Sequence, residues 1–552
     1  MSKEQSTFPL SPFRKSFAQS LLKSAKEYSL RPALWVDNKT YSYSTLMTES
    51  LAIAATLQAL SCSPEICGIL AYRSAVTYQS LWGALLAGCC YVPLNPRFPL
   101  GKNHPIFVAS GCSVIIVDRR SEAAARELLL RLDKGVSVLL PEHSELPDWC
   151  QGTQHHYICQ NQMATAKVWQ APEVVNAYAY LLFTSGTTGQ PKGIAVTHQN
   201  MKAYIGNLLE TYTLAATDRF SQISDLTFDL SVHDIGCTWT VGGALYIPPE
   251  NALLCPADFV SRHELTCWSS VPSLLGFMDK FRKIKKDAFP HLRYSFFSGE
   301  AMPTIMAEKW AQAAPNSKII NIYGPTEATV SVSSFVYRSS RLELPSLPIG
   351  KPFSQQETIV VDDKGELIMG EEQGELWLGG SQVTDGYWQD SERTNQSFVD
   401  ETFVSCLSKR WYRTGDIVSW HKSYGLVFHG RKDFQVKVNG FRVELSEVEA
   451  VIRTGFSCSW VAVIPWPMDS TGAAKGLVAW LSGMQGSAQD VRQHCIEKLP
   501  PYMVPGYVFW QTELPRNVNG KVNIKALQQQ TQEQVRLLKN ECAESGNQFP
   551  SG

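Results

Sequence analysis

Leu181 to Gly193 reads LLFTSGTTGQPKG, an apolar run followed by a loop with Ser185, Thr187 and Thr188, the glycines Gly186 and Gly189, a proline and Lys192. A strand entering such a loop turns backbone N–H groups, hydroxyls and one ammonium onto a single polyphosphate, and the glycines let the anion approach without Cβ clashes. It is not the GxxxxGK[ST] loop, because Lys192 has neither that glycine spacing nor a following Ser or Thr. The same composition also suits a plain polar turn between a strand and a helix, so the segment alone leaves both readings open.

Outward from this loop, the pattern is layered. From Ser42 to about Glu250, helical periodicities alternate with short β-branched or aromatic runs such as SVIIV (Ser113 to Val117) and AYAYLLF (Ala177 to Phe183), the texture of α/β layers. From Leu347 to Gly430 the texture changes to short glycine-punctuated strands (IVVDDKGELIM, GELWLGG, GLVFHG), which predict a β-rich subdomain. Beyond Arg431, a strand in FQVKV, a turn at Asn439-Gly440 and a helix opening at Ser446, three residues before Glu449, predict a separate small α/β unit. The expected fold class is α/β: a large N-terminal domain over residues 1–430 and a small mobile C-terminal lid domain over residues 431–552. The expected hinge lies between Gly430 and Asp433. Phe17, Leu21 and Leu22 mark one face of a short first helix, and the Gln-rich stretch from Gln528 predicts a last helix with a frayed end.

A chain of 552 residues exceeds one compact core. Its 50 basic and 51 acidic residues nearly cancel, so no global field draws it to nucleic acid or an anionic membrane. Fourteen cysteines follow no metal-ligand spacing and read as reduced core residues. No N-terminal run has signal-peptide length, and Leu81 to Leu94 is interrupted by Gly83, Gly88 and Pro93. A cytoplasmic protein is expected.

Further segments recur in order: YSYSTL at Tyr41, LLAGCCYVPLNPRFP at Leu85, TSGTTGQPKG at Thr184, FDLS at Phe228, NIYGPTE at Asn321, GELWLGG at Gly374, YRTGD at Tyr412, GRKDFQVKVNGFRVEL at Gly430, LPPYMVP at Leu499 and NGKVN at Asn519. In this order they resemble the adenylate-forming superfamily of acyl-CoA synthetases, nonribosomal peptide adenylation domains and luciferases, in particular its amino-acid adenylation branch and the D-alanine:carrier-protein ligases. The resemblance covers nearly the whole chain. It implies ATP and Mg²⁺ as cofactors, with Thr184, Ser185, Gly186, Thr187, Thr188, Gly189 and Lys192 around the outer phosphates. Tyr323 is then expected against the adenine, with the turn Gly299-Glu300, which is equally readable as an ordinary strand end, and Asn321, Ile322, Gly324 and Pro325 among the nucleotide-binding residues. Thr326 is implied at the α-phosphate and Glu327 on the metal, a carboxylate being what Mg²⁺ accepts beside phosphate oxygens. Asp416 is implied at the ribose hydroxyls and Arg431 beside the ribose, with Phe428 and Gly430 also among the nucleotide-binding residues.

In FDLSVHDI, Asp229 matches the aspartate that pairs with a substrate ammonium, since a buried carboxylate needs a positive partner. Asp229 or Ser231 capping the following helix is the competing reading. The resemblance places Leu230, His233, Ser269, Phe296, Ser298, Ile322, Val330 and Ser331 around the substrate side chain. Bulky Leu230, Phe296 and Ile322 limit its depth, which favours a small amino acid such as alanine of either hand, serine or cysteine. His233 departs from the aromatic or aliphatic residue expected there.

Lys521 matches the lysine that reaches the substrate carboxylate and the α-phosphate, where one anion attacking another needs a cation. Asp433 matches the hinge residue of a rotating small domain, and the Lys437 to Gly440 face the place where a pantetheine arm passes. HHYICQN at His155 lacks the aspartate and glycine of an HHxxxDG condensation motif, and LGGS at Leu378 reads as a strand turn rather than a phosphopantetheine site. The implied acceptor is therefore the thiol of a separate carrier protein. The rival readings are an acyl-CoA or aryl acid ligase of the same fold and a catalytically inactive nucleotide-binding scaffold.

Overall fold

The computed structural model describes the chain apart from residues 1–15, 61–64, 173–174, 186–190, 339–341, 404–405, 408, 433–434, 457, 459, 469–473, 484–486, 516–521 and 546–552. The chain forms two compact units. The first comprises Met1–Pro96, Ile106–Phe183 and Lys192–Lys432; the second comprises Arg97–Pro105, Thr184–Pro191 and Asp433–Gly552.

The first unit carries a nine-stranded sheet, a seven-stranded sheet and a five-stranded antiparallel sheet. In the nine-stranded sheet, Cys267–Ser270, Tyr294–Phe297 and Lys318–Tyr323 run parallel and adjacent, with Ser269 opposite Phe296 and Phe296 opposite Ile320. These strands are buried and read as apolar or small residues without polar alternation, as expected of parallel strands covered on both faces. Their C-terminal ends open into the loops carrying Ser298 to Glu300 and Gly324 to Glu327, the edge where open α/β sheets place ligands.

Two helices of this unit pack against each other. Leu230–Val241 is buried at ten of its twelve residues. His198–Thr211 opens on a reciprocal cap in which Asn200 N–H donates to Thr197 Oγ1 and Thr197 N–H to Asn200 Oδ1. The two can approach closely because position 236 is glycine: a Cβ there would stand 2.7 Å from Ile205 Cδ1. Trp82 meets Trp239 edge to face at 5.0 Å in the same core.

The β-rich expectation from residue 347 corresponds to the five-stranded sheet, including Gly374–Gly380, Arg410–His421 and Gly425–Arg431. IVVDDKGELIM is not one strand, however. The strand Gln356–Val361 ends where the Asp362 carboxylate accepts from the Lys364 and Glu366 N–H groups and closes a turn.

In the second unit, Gln435–Val438 and Phe441–Glu444 form the expected hairpin, with Asn439 (φ 49°) and Gly440 (φ 85°) both left-handed at its turn. The helix predicted at Ser446 begins at Leu445 without a side-chain cap. The cap position falls on Glu444, the last residue of the strand Phe441–Glu444, so Ser446 lies inside the first turn. The last helix spans Ile524–Ser545. None of the twelve cysteines whose side chains are described is in a disulfide, nine of them are buried, and among the described residues no helix is long and apolar enough to cross a membrane.

Candidate active site

Lys192 starts the strand Lys192–Thr197 and reaches Glu327 Oε1 at 3.2 Å. The Tyr387 hydroxyl donates to the same oxygen at 2.8 Å, and the Lys192 ammonium lies 5.1 Å from the centre of the Tyr387 ring. A full ion pair withdrawn from water costs several kcal/mol per ion unless charge and hydrogen bonds return it. Glu327 has both, and a single buried carboxylate fits Mg²⁺, which takes one or two carboxylates and completes its shell with phosphate oxygens and water.

Tyr323, at the end of Lys318–Tyr323, donates its hydroxyl to Asp416 Oδ2, and Arg431 forms an ion pair with Asp416 Oδ1. Antiparallel register places Asp416 directly opposite Arg431. Burial and the adjacent Asp416 charge push the Tyr323 hydroxyl well above its usual pKa, so it remains a donor. Asp416 thus presents a carboxylate fixed at both oxygens, suited to accept neighbouring hydroxyls. Asn321, on the same strand, donates to the Pro348 carbonyl at 2.8 Å and anchors the adjacent turn. Phe428 and Gly430 lie on the strand of Arg431.

The expected acyl-pocket residues come from or adjoin one helix, three strands and the loop after Ala328. Asp229 precedes the helix Leu230–Val241, and its side chain forms no cap hydrogen bond there; Ser231 Oγ instead donates to the Phe228 carbonyl at 2.7 Å. The capping reading therefore fails for Asp229. The expectation of a buried carboxylate also needs correction, because Asp229 is only half-buried at the helix mouth. Deeper in, His233 and Phe296 meet at 4.7 Å between ring centres, and both are 0% exposed. The Tyr204 hydroxyl bonds His233 Nδ1 at 2.6 Å, and Ser331 Oγ donates to Tyr204 at 3.4 Å. Burial depresses the His233 imidazole to about 3, so the ring is neutral at ordinary pH. Ser269, Ile322, Val330 and Ser331 are at most 2% exposed, and Leu230 and Ser298 reach 7%.

Gly299 (φ 88°) and Glu300 do turn the chain after Tyr294–Phe297, and Glu300 Oε2 accepts from the Ser273 N–H at 2.7 Å. That contact serves the first turn of the helix Pro272–Lys280, the structural half of the two readings for this pair.

From Gly324 to Val332 the chain is bent tightly. A Cβ at Gly324 would stand 2.5 Å from Ser331 Cα, so only glycine fits. Thr326 opens the short turn Thr326–Ala328. Thr329 (φ 55°) and Val330 (φ 66°) are both left-handed, at about 1–2 kcal/mol each for residues with a Cβ. Val332 N–H returns to the Tyr323 carbonyl at 2.7 Å. A continuous bonded path therefore joins Arg431, Asp416 and Tyr323 through Val332 and Ser331 to Tyr204, His233 and Phe296.

In the second unit, Thr184 ends its strand and Ser185 Oγ donates to the Arg442 carbonyl at 2.9 Å. Lys437 and Gly440 lie on the hairpin described above. Gly186, Thr187, Thr188, Gly189, Asp433 and Lys521 lie outside the described residues. Sequence reasoning missed Tyr204, Tyr387 and Gln382. A tyrosine at helical spacing and a glutamine in GGSQVTDGYW carry no chemical signature until the fold brings them to His233, Glu327 and the bent loop.

The fold and the ordered motifs are those of an AMP-binding enzyme. The chain belongs to the AMP-binding enzyme family, whose model matches residues 21–388. Its structure is similar to that of the Vibrio cholerae adenylation domain AlmE, crystallised with glycyl-adenosine-5'-phosphate. The TM-score is 0.85 and the identity 33%, over 97% of this chain and 100% of that one. In sequence it is 28% identical over 516 residues to the L-proline--[L-prolyl-carrier protein] ligase of Streptomyces coelicolor, covering 91% of this chain and 94% of that protein. It is 30% identical over 522 residues, 94% of its length, to a linear gramicidin synthase chain of Brevibacillus parabrevis. The chain spans only 10% of that synthase chain and 14% of a surfactin synthase chain of Bacillus subtilis.

Proposed function

We propose that this protein activates glycine with ATP as glycyl-adenylate and passes the glycyl group to the phosphopantetheine thiol of a separate carrier protein. The observation that carries the choice of glycine is the closed state of the acyl-pocket residues. A cavity able to take a substrate side chain would leave its lining open to a water-sized sphere, yet His233 and Phe296 are 0% exposed and packed ring against ring. What stays accessible is the mouth, where half-buried Asp229 has the charge to hold an α-ammonium. Alanine, serine and cysteine, favoured from residue types alone, each need space beyond that mouth. The glycyl-adenylate bound to the similar Vibrio domain supports the same reading.

In this proposal Lys192 and the loop from Thr184 to Gly189 take the outer phosphates, and Thr326 the α-phosphate. Asp416 receives the ribose hydroxyls with Arg431 beside it, and Tyr323 borders the adenine. Glu327 holds Mg²⁺, which when bound neutralises charge on the phosphates. Lys521 stabilises the crossing charges as the carboxylate attacks, and Asp433 serves as hinge between residues 1–430 and 431–552. Lys437 and Gly440 border the thiol path. Incubation with ATP, Mg²⁺, labelled glycine and a carrier protein bearing phosphopantetheine tests the proposal. Label bound to the carrier and released by hydroxylamine is expected; label transferred only from other acids would overturn it.

A further inference from the structure

Gln382 is fully buried in the first unit, just after the strand Gly374–Gly380. Its Nε2 donates to the Ser331 carbonyl at 2.7 Å, and more weakly to Thr329 at 3.3 Å and Ala328 at 3.4 Å. Its carbonyl oxygen accepts from Thr329 Oγ1 at 2.7 Å, and its Oε1 accepts from Asn207 Nδ2 at 2.7 Å. Two residues further on, Thr384 N–H donates to the Glu327 carbonyl at 2.9 Å. Segment 382–384 therefore grips the bent loop at Glu327, Ala328, Thr329 and Ser331, across the two left-handed residues.

The grip is anchored in turn. Asn200 Nδ2 donates to the carbonyls of Ser381 at 2.8 Å and Val383 at 3.2 Å. Asn200, Tyr204 and Asn207 are spaced four and three residues apart, on one face of the helix His198–Thr211. The outer two hold the segment that grips the loop, and the middle one holds His233 and Ser331. A glutamine this deeply buried, with its amide shared among three carbonyls of one turn, fixes the shape of that turn.

From this geometry we infer that Gln382, fixed by Asn207, is a positioning residue that sets the loop from Glu327 to Ser331 and so fixes both the metal-binding carboxylate and the floor of the acyl pocket. The inference rests on the reading of the site as one for amino-acid adenylation. Gln382→Met keeps the length of the side chain and removes its amide bonds to the loop and to Asn207, leaving the backbone bonds of the segment in place. Misplacing Val330 and Ser331 is expected to cut kcat/KM for glycine on the order of 10²-fold, chiefly through KM. The ratio of glycine to alanine turnover should fall, because a relaxed floor admits a methyl group. A role in stability alone would lower kcat for every substrate in proportion to the folded fraction, leaving KM and that ratio unchanged, and such a result would overturn the inference.

Hydrogen–deuterium exchange on the same variant separates this question from that of the reaction itself. Amides of residues 328–332 should exchange faster while those of Leu230–Val241 keep their protection. Unchanged protection at 328–332 sinks the positioning role, whatever the activity. Unaltered protein that exchanges pyrophosphate with no amino acid sinks the functional reading instead, and the amide data still decide whether Gln382 holds the loop.

Discussion

Lys192 Nζ and Glu327 Oε1 stand 3.2 Å apart, with both side chains removed from water. Breaking such a pair by neutralising one member strands the other, at about 3–5 kcal/mol. Glu327→Gln should therefore lower the urea midpoint. It should also reduce pyrophosphate exchange on the order of 10²–10³-fold, the usual effect of losing one electrostatic contact to the reacting phosphates. Unchanged exchange at saturating Mg²⁺ would remove Glu327 from the reaction.

Asp229 stands at a half-exposed mouth, which limits what its charge is worth. A hydrogen bond to a charged group contributes roughly 1.5–3 kcal/mol, so Asp229→Ala should weaken glycine use about 10–100-fold. The KM for ATP should hardly move. Measuring both constants separates loss of ammonium recognition from general damage.

His233→Ala removes the ring that closes on Phe296. Adding room for one methyl group changes discrimination by about 10–200-fold in hydrophobic pockets, so alanine turnover should rise relative to glycine by at least the lower figure. A variant that still excludes alanine would show that another group closes the pocket.

Burial lowers two histidines, His233 to about 3 and His198 to about 4, against about 6.5 when unfolded. Between those values the unfolded chain binds more protons, so stability is complete above pH 6.5 and falls as the pH drops toward 4. Each histidine contributes a slope of up to about 1.4 kcal/mol per pH unit. His198 accepts the Phe17 N–H at Nδ1, a role glutamine can fill with its carbonyl. His198→Gln should flatten the slope between pH 4 and 6.5 and leave stability above pH 7 nearly unchanged, measured as urea midpoints across pH.

The large architecture was legible because strand runs and glycine turns are local signals, and SVIIV and AYAYLLF became strands where periodicity put them. Ser446 misled because the hairpin strand ends two residues earlier and puts Glu444 at the cap position, with Ser446 inside the first turn. Residue types around the acyl pocket predicted a limited depth and no more. How far they close depends on the tilt of one ring against another, which a sequence does not encode. Gln382 and Tyr387 were invisible for a related reason: their partners are a backbone carbonyl and a carboxylate tens of residues away, and only the folded chain brings them together.

The most direct measurement is ATP–pyrophosphate exchange by the purified protein against glycine, all L- and D-amino acids and a panel of simple carboxylic acids. Exchange strongest with glycine, falling at alanine and further at serine, is predicted. Exchange confined to simple acids, or strongest with a large amino acid, would contradict the account.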